Sequence, residues 1–311
     1  MPRCNRFKLE RARAWYHIHA RTAGKKGEYP LEKPLCQSKM IDLVRAYSSV
    51  YCCDIAAFSV MGNHYHLVIR FDEFRALRQD ELMDIALLLY PNSKEYLLGW
   101  TPKQWERFNK RIFDISEFMR NVQAAFARWY NRTFMRRGRF WADRFKSTLL
   151  QDGQAVLDCM LYVDLNPVRA GLVKRPEDHK GSSIYFRQIK KCRWLLSLNR
   201  FVGQSPGLSA IREYRCLLYH RGAVPTQEHH LKIPESILRA EEARGFESGG
   251  EYTKRLRYFV DGMVLGSEDF VREQLCCLRE SGHYLRRKNP IKQMGTVHNS
   301  IKEQRSHAIV L

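Results

Sequence analysis

Tyr51-Cys52-Cys53-Asp54-Ile55-Ala56-Ala57-Phe58-Ser59-Val60-Met61, then Gly62-Asn63, then His64-Tyr65-His66-Leu67-Val68-Ile69-Arg70-Phe71, reads as a β-hairpin. Two apolar runs flank a Gly-Asn pair, and such a pair suits a two-residue hairpin turn. A strand alternates its side chains, so His64 and His66 leave the same face of the sheet. Two imidazoles side by side on a rigid element are half of a metal site.

Working outward, Ala14 to Thr22 reads as a first strand. A helix follows near Gln37 to Ser49, with Met40, Leu43, Val44 and Tyr47 on one stripe. Beyond the hairpin, Asp72 to about Arg111 has a charged, helical texture and reads as an insertion turned at Pro91-Asn92. Ile115 to about Arg136 keeps helical spacing through Phe118, Val122, Phe126 and Tyr130, with Gly138 as its terminator. Arg139 to Leu150 reads as a fourth strand. Gln154 to Leu165 is a helix stopped by Asn166-Pro167, because the residue before a proline avoids helical geometry. The order strand, helix, strand, strand, helix, strand, helix predicts an α+β ferredoxin-like sandwich with an antiparallel sheet. This unit spans 1–188, with the helical insertion at about 72–111. Residues 189–311 form a mainly helical extension, with a loose basic tail after Arg286-Arg287-Lys288.

The charge balance points to a partner. The chain has 311 residues, with 53 Lys plus Arg against 33 Asp plus Glu and a net charge of +20. Basic side chains displace condensed counterions from phosphates, so nucleic acid is the expected partner. No apolar run approaches the roughly 20 residues of a membrane span, and no signal peptide is read. The cysteines number nine and are scattered, which fits reduced thiols rather than a disulfide framework.

Three groups of residues carry chemistry. His64 and His66 are the first, although an isolated pair of this spacing is more often two polar residues on a solvated face. A second pair, His17 and His19, lies on the proposed first strand. Tyr162 and Asn166 form the second group, one helical turn apart and on one face. Free tyrosine has a pKa near 10, so only about one in 10³ is phenolate at neutral pH, and a cation on the target phosphate would lower the demand on so weak a nucleophile. Core packing of Tyr162 and a helix end at Asn166 is the plain alternative. The third group runs from Tyr130 to Lys146, where Arg132, Arg136, Arg137, Arg139, Arg144 and Lys146 interleave with Phe140, Trp141 and Phe145. Single-stranded nucleic acid is bound by such mixtures, with cations on the backbone and rings on the bases. Phe140 and Phe145 are expected in the core, and Asp143 beside a neighbouring arginine.

These segments resemble the HUH family of single-strand transposases with one catalytic tyrosine, and within it the REP-associated tyrosine transposases of bacteria. The resemblance rests on M-G-N-H-Y-H-L-V-I (61–69), N-R-T-F-M-R-R-G-R-F-W-A-D-R-F-K-S (131–147) and Y-V-D-L-N-P-V-R-A-G-L-V (162–173). It continues weakly through Ser182-Ser183 and Tyr214-Arg215 and covers roughly the first two-thirds of the chain. The segment from Tyr258 to Gly266 is similar to a C-terminal segment of longer members. The resemblance implies that His64, His66 and Asn166 hold Mg²⁺ or Mn²⁺. It implies that Tyr162 attacks a DNA phosphate, forms a 5′-phosphotyrosine and frees a 3′-OH. It further implies single-stranded DNA beside hairpin repeats as partner, with Arg132, Arg136, Arg137, Arg139, Trp141, Arg144, Lys146 and Arg169 as DNA contacts, in the bacterial cytoplasm at the nucleoid. A homodimer is left open. His19 departs from the pattern. In this sheet the first and third strands are neighbours, so His17 or His19 is placed to support the metal or to act as a spare ligand. Two other readings stay open: a domesticated DNA- or RNA-binding protein without turnover, and a metal-independent endoribonuclease with a histidine base.

Overall fold

The computed structural model describes residues 8–9, 12–25, 27–203, 209–223, 231–243, 262–280, 291–292 and 298–302. Strand β1 (Ala14–Arg21) leads to helix α1 (Pro34–Ser48), then to β2 (Cys53–Val60) and β3 (His64–Phe71). Helices α2 (Gln79–Leu89), α3 (Lys94–Leu98) and α4 (Pro102–Ile112) form the insertion. The long α5 (Ile115–Thr133), strand β4 (Lys146–Leu150) and helix α6 (Gln154–Arg169) complete the front of the chain. The first four strands lie in the order β2-β3-β1-β4, and every pairing among them is antiparallel. The fold is an α+β ferredoxin-like sandwich, as the order of elements predicts.

The central strands are buried on both faces, which explains their near-continuous apolar sequence. Tyr16, Ile18, Tyr65, Leu67 and Ile69 pack one face against Met40 and Val44 of α1 and Phe118, Val122 and Phe126 of α5. The opposite face carries Trp15 and Val68, covered by Val156, Met160 and Val163 of α6. The hairpin turn at Gly62-Asn63 is closed by Met61 N–H donating to the His64 carbonyl at 2.8 Å. Register shifts between Ile55 and Ala57, leaving Ala56 as a bulged residue. Its carbonyl accepts from the buried Arg187 guanidinium at 2.7 Å.

The insertion is helical, as expected, with its own small core of Leu82, Ala86, Leu97, Trp105, Phe108 and Ile112. A capping box at Thr101 and Gln104 starts α4.

Three boundaries differ from expectation. Helix α5 ends at Thr133, ahead of Arg136 and Gly138: Arg136 N–H donates to the Asn131 carbonyl and Met135 N–H to the Arg132 carbonyl, closing the turn locally. The fourth strand begins at Lys146, not Arg139. Between them Phe140, Trp141 and Phe145 fold into the core, and the chain bends at 142–144. Only a single bridge, Thr22 to Trp141, continues the pairing. Helix α6 runs to Arg169 through Pro167. The proline removes one N–H in the last turn, but α6 is buried along nearly its whole length, and that packing outweighs the local preference.

Beyond α6, helices α7 (Ser183–Gln188), α8 (Ala210–Gly222), α9 (Glu235–Glu242) and α10 (Glu268–Glu280) make the extension mainly helical. It also adds strands that its sequence texture conceals. Strand β5 (Gly262–Gly266) pairs parallel with β4, and β7 (Asn299–Lys302) and β6 (Ile291–Lys292) follow, giving a seven-stranded sheet. The segment from Tyr258 to Asp261 and the basic stretch Arg286-Arg287-Lys288 lie outside the described residues. Among the described residues every cysteine is free, and no helix is long and apolar enough to cross a membrane.

Asp164 of α6 fastens these layers. It is fully buried, accepts from Ser183 Oγ at 2.7 Å, Ile184 N–H at 3.2 Å and Tyr214 Oη at 2.8 Å, and has its pKa pushed up to about 6 by that burial. Asp164→Ala would orphan three buried donors, so the unfolding free energy is expected to fall by about 3 kcal/mol or more. Chemical denaturation reads this directly, and a midpoint equal to wild type would show that the network does not hold α6 to α7 and α8.

Candidate active site

The register of the sheet assembles the site. His19 lies opposite His66 and Arg21 opposite His64 between β1 and β3, while β4 sets Lys146 opposite His19 and Thr148 opposite His17. Side-chain alternation therefore turns His17, His19, Arg21, His64, His66 and Lys146 to one face. Helix α6 crosses that face and supplies Tyr162 and Asn166. An open cleft of about 440 Å³ is lined by His19, Arg21, His64, His66, Arg144, Lys146, Tyr162 and Asn166, together with Ala20, Ala142 and Asp143. Residues from four elements distant in sequence thus meet in one place, including the histidine pair and the tyrosine–asparagine couple.

The imidazoles are held in defined orientations. His64 Nδ1 lies 2.8 Å from Asn63 Oδ1. An amide oxygen only accepts, so Nδ1 carries the proton and Nε2 keeps its lone pair. His66 Nδ1 lies 3.0 Å from His17 Nε2, and the two rings stack with centroids 5.1 Å apart and planes within 7°. His17 is fully buried. The Tyr162 ring meets both His66 and His17 edge-on, at 5.6 and 5.9 Å.

Burial keeps His19, His64 and His66 neutral. It lowers His64 to about 4, with Arg21 adding to the effect, and His19 to about 3, with His17 and Lys146 adding theirs. His66 falls well below its ordinary value, chiefly through burial and then through the three neighbouring histidines. A neutral imidazole is the form that ligates metal.

Asn166 Nδ2 donates to the Tyr162 carbonyl at 3.1 Å, which leaves its Oδ1 as an acceptor. The continuous helix through Pro167 keeps this couple one turn apart. Among the described residues no three His, Cys, Asp or Glu side chains are arranged to hold a metal ion. His64, His66 and Asn166 each have one polar side-chain atom engaged in a hydrogen-bond contact, at Nδ1, Nδ1 and Nδ2 respectively. Ligating histidines ordinarily have such support on the second ring nitrogen.

The basic segment divides. Arg144 and Lys146 line the cleft, and Arg132, Arg137 and Arg139 are exposed, with Arg136 half-buried. Arg139 stands 3.9 Å from Asp143, as expected. Trp141 corrects the expectation of a stacking surface: its ring is in the core and its indole N–H donates to the Gln123 carbonyl at 2.9 Å. Arg169 is likewise buried, with its guanidinium 5.9 Å from the centre of the Tyr162 ring. It lies against the Tyr162 ring and not on the open surface expected of a DNA contact.

The sequence places His17 or His19 beside the histidine pair, since β1 neighbours β3, but passes over Arg21 in the cleft. The signal for Arg21 is the i, i+2 parity of β1, which puts it on the face of His17 and His19.

No protein-family model matches this chain, and no curated protein matches it. Among solved structures, the chain is similar to one described as the structure of the REP-associated tyrosine transposase bound to a REP hairpin. The identity is 15%, the match covers 68% of this chain and 96% of that one, and the TM-score is 0.40.

Proposed function

We propose that the protein cleaves and rejoins single-stranded DNA through a phosphotyrosine intermediate, with a divalent ion in the cleft. The observation that carries this reading is the convergence of His64, His66, Tyr162 and Asn166 with Arg21, Arg144 and Lys146 in one cleft.

The chemistry follows from the side chains. Arg21, Arg144 and Lys146 give the cleft a positive field that draws in a phosphodiester. His64, His66 and Asn166 would hold Mg²⁺ or Mn²⁺; an imidazole-rich set leans towards Mn²⁺ on intrinsic affinity. When bound, such an ion polarises a phosphoryl oxygen as a Lewis acid. Tyr162 gives its phenolic proton to water in the open cleft as its oxygen bonds to phosphorus. The P–O3′ bond breaks, the departing 3′ oxygen takes up a proton, and the 5′ phosphate remains on the tyrosine. Attack by a 3′-OH on that linkage restores a phosphodiester and releases the phenol. No external energy source is needed, because one phosphoester replaces another. Arg169 beside the ring favours the developing phenolate.

The test uses a labelled hairpin DNA with a single-stranded flank, incubated with the full chain and Mn²⁺ or Mg²⁺. A protein–DNA conjugate that survives denaturing electrophoresis is expected, and EDTA should abolish it. Metal-independent cleavage of RNA to a 2′,3′-cyclic phosphate, with no conjugate on DNA, would instead support the endoribonuclease reading. Hairpin binding with neither product would support the binding-protein reading.

A further inference from the structure

The turn that ends α5 holds a residue that the fold does not use. Asn131, Arg132, Phe134, Met135 and Arg136 form a Schellman-type cap, in which the position after the C-cap must be left-handed and is usually glycine. Met135 occupies it with φ +49°. A side chain there is strained, and a long apolar one gains no burial in return: Met135 is 93% exposed. A single exposed apolar residue is ordinary. One set on a left-handed backbone is the kind of outlier from which a functional contact is inferred.

The surroundings indicate the partner. Arg132, Arg137 and Arg139 are exposed around Met135. The turn is held rigid by Asn131 Nδ2 donating to the Gly138 carbonyl at 3.0 Å. From there the chain is fastened to the end of β1, with Ala23 N–H on the Phe140 carbonyl at 2.7 Å and Ala142 N–H on the Arg21 carbonyl at 2.9 Å. It then enters the cleft at Ala142, Asp143 and Arg144. The arginine-bearing turn and the cleft are therefore joined by one continuous segment, anchored at both ends. Apolar side chains inserted between base pairs by proteins that also grip the phosphates are a known means of unstacking duplex DNA, and methionine is among those used.

We infer that Met135 is a wedge that enters a base step of the paired stem flanking the strand cleaved in the cleft. The inference rests on the nucleic-acid reading of that cleft and adds a place where the duplex is opened. A rigid turn serves this role because the wedge is already ordered before DNA arrives.

The experiment uses short DNA hairpins carrying 2-aminopurine at successive stem positions, bound by the full chain without metal. Wild type is expected to brighten the probe at one step. Met135→Leu should retain the signal. Met135→Ala should lose it and bind the hairpin about tenfold more weakly, as for the loss of one stacked base, while binding stemless single strands as wild type does. Met135→Gly should lose the DNA signal yet melt about 1–3 °C higher, because strain is relieved. The opposite signs separate a wedge from a structural residue. The inference fails if Met135→Ala binds and brightens like wild type, if Met135→Gly melts lower, or if only RNA hairpins respond. Brightening without a covalent conjugate would sink the proposed reaction and keep the wedge. A conjugate formed equally by wild type and Met135→Ala, without brightening, would do the reverse.

Discussion

Tyr162→Phe is expected to fold, bind hairpin DNA within a factor of about three of wild type, and form no covalent conjugate. The substitution removes one oxygen. The phenyl ring keeps its edge contacts with His66 and His17 and its place beneath Arg169. In the proposed reading binding rests on Arg21, Arg144, Lys146 and the exposed arginines of the preceding turn, none of which changes. Cleavage should fall by on the order of 10⁴-fold or more, since removal of a covalent nucleophile leaves only what positioning and electrostatics supply. A denaturing gel for the conjugate, paired with a gel-shift titration, reads both halves. Persistent cleavage with a conjugate would place the nucleophile elsewhere. Persistent cleavage without one would point to attack by water, with Tyr162 merely a wall of the cleft.

His64→Ala is expected to abolish cleavage while sparing most of the charge-driven binding, because counterion release depends on the cations and not on the imidazoles. His64 is half-buried beside the hairpin turn, so its loss opens no large cavity. Mn²⁺ binding by the DNA-free chain, followed by electron paramagnetic resonance or calorimetry, should be lost in His64→Ala. It should weaken by about 10- to 100-fold in His17→Leu, which leaves both proposed nitrogen ligands in place but removes the 3.0 Å contact on His66 Nδ1. His17→Gln can restore a hydrogen bond and should recover part of the loss. Equal Mn²⁺ affinity in all four proteins would remove the metal from the site.

The hairpin was readable because β2 and β3 are joined by two residues, and local chemistry sets their register. The Tyr162/Asn166 pair was readable because helical spacing is local too. The cleft was readable in part: the ferredoxin-like order sets β1 beside β3 and so brings His17 and His19 near the pair, while Arg21 and the edge supplied by β4 emerge only with the register. Trp141 was misplaced because an interleaved basic–aromatic run has the same composition whether its rings point outward or, as here, inward. Pro167 misled because propensity is a local preference and α6 is set by burial. The strands of the extension escaped notice because Gly262–Gly266 is short, apolar and flanked by helical texture, so neither strand nor helix periodicity could develop.

The pairing of β4 with β5 has a consequence for biosynthesis. The first four strands are close in sequence and can collapse as the chain leaves the ribosome. The outer edge of β4 cannot be covered until β5 is made, and buried His298 reaches Asp158 at the start of α6 across 140 residues. During that interval a sheet already carrying its histidines presents an open row of backbone donors and acceptors to its surroundings. The late strands thus act as a closing seam, and the time needed to translate the extension is a window in which the nascent protein is most exposed to strand pairing with its neighbours.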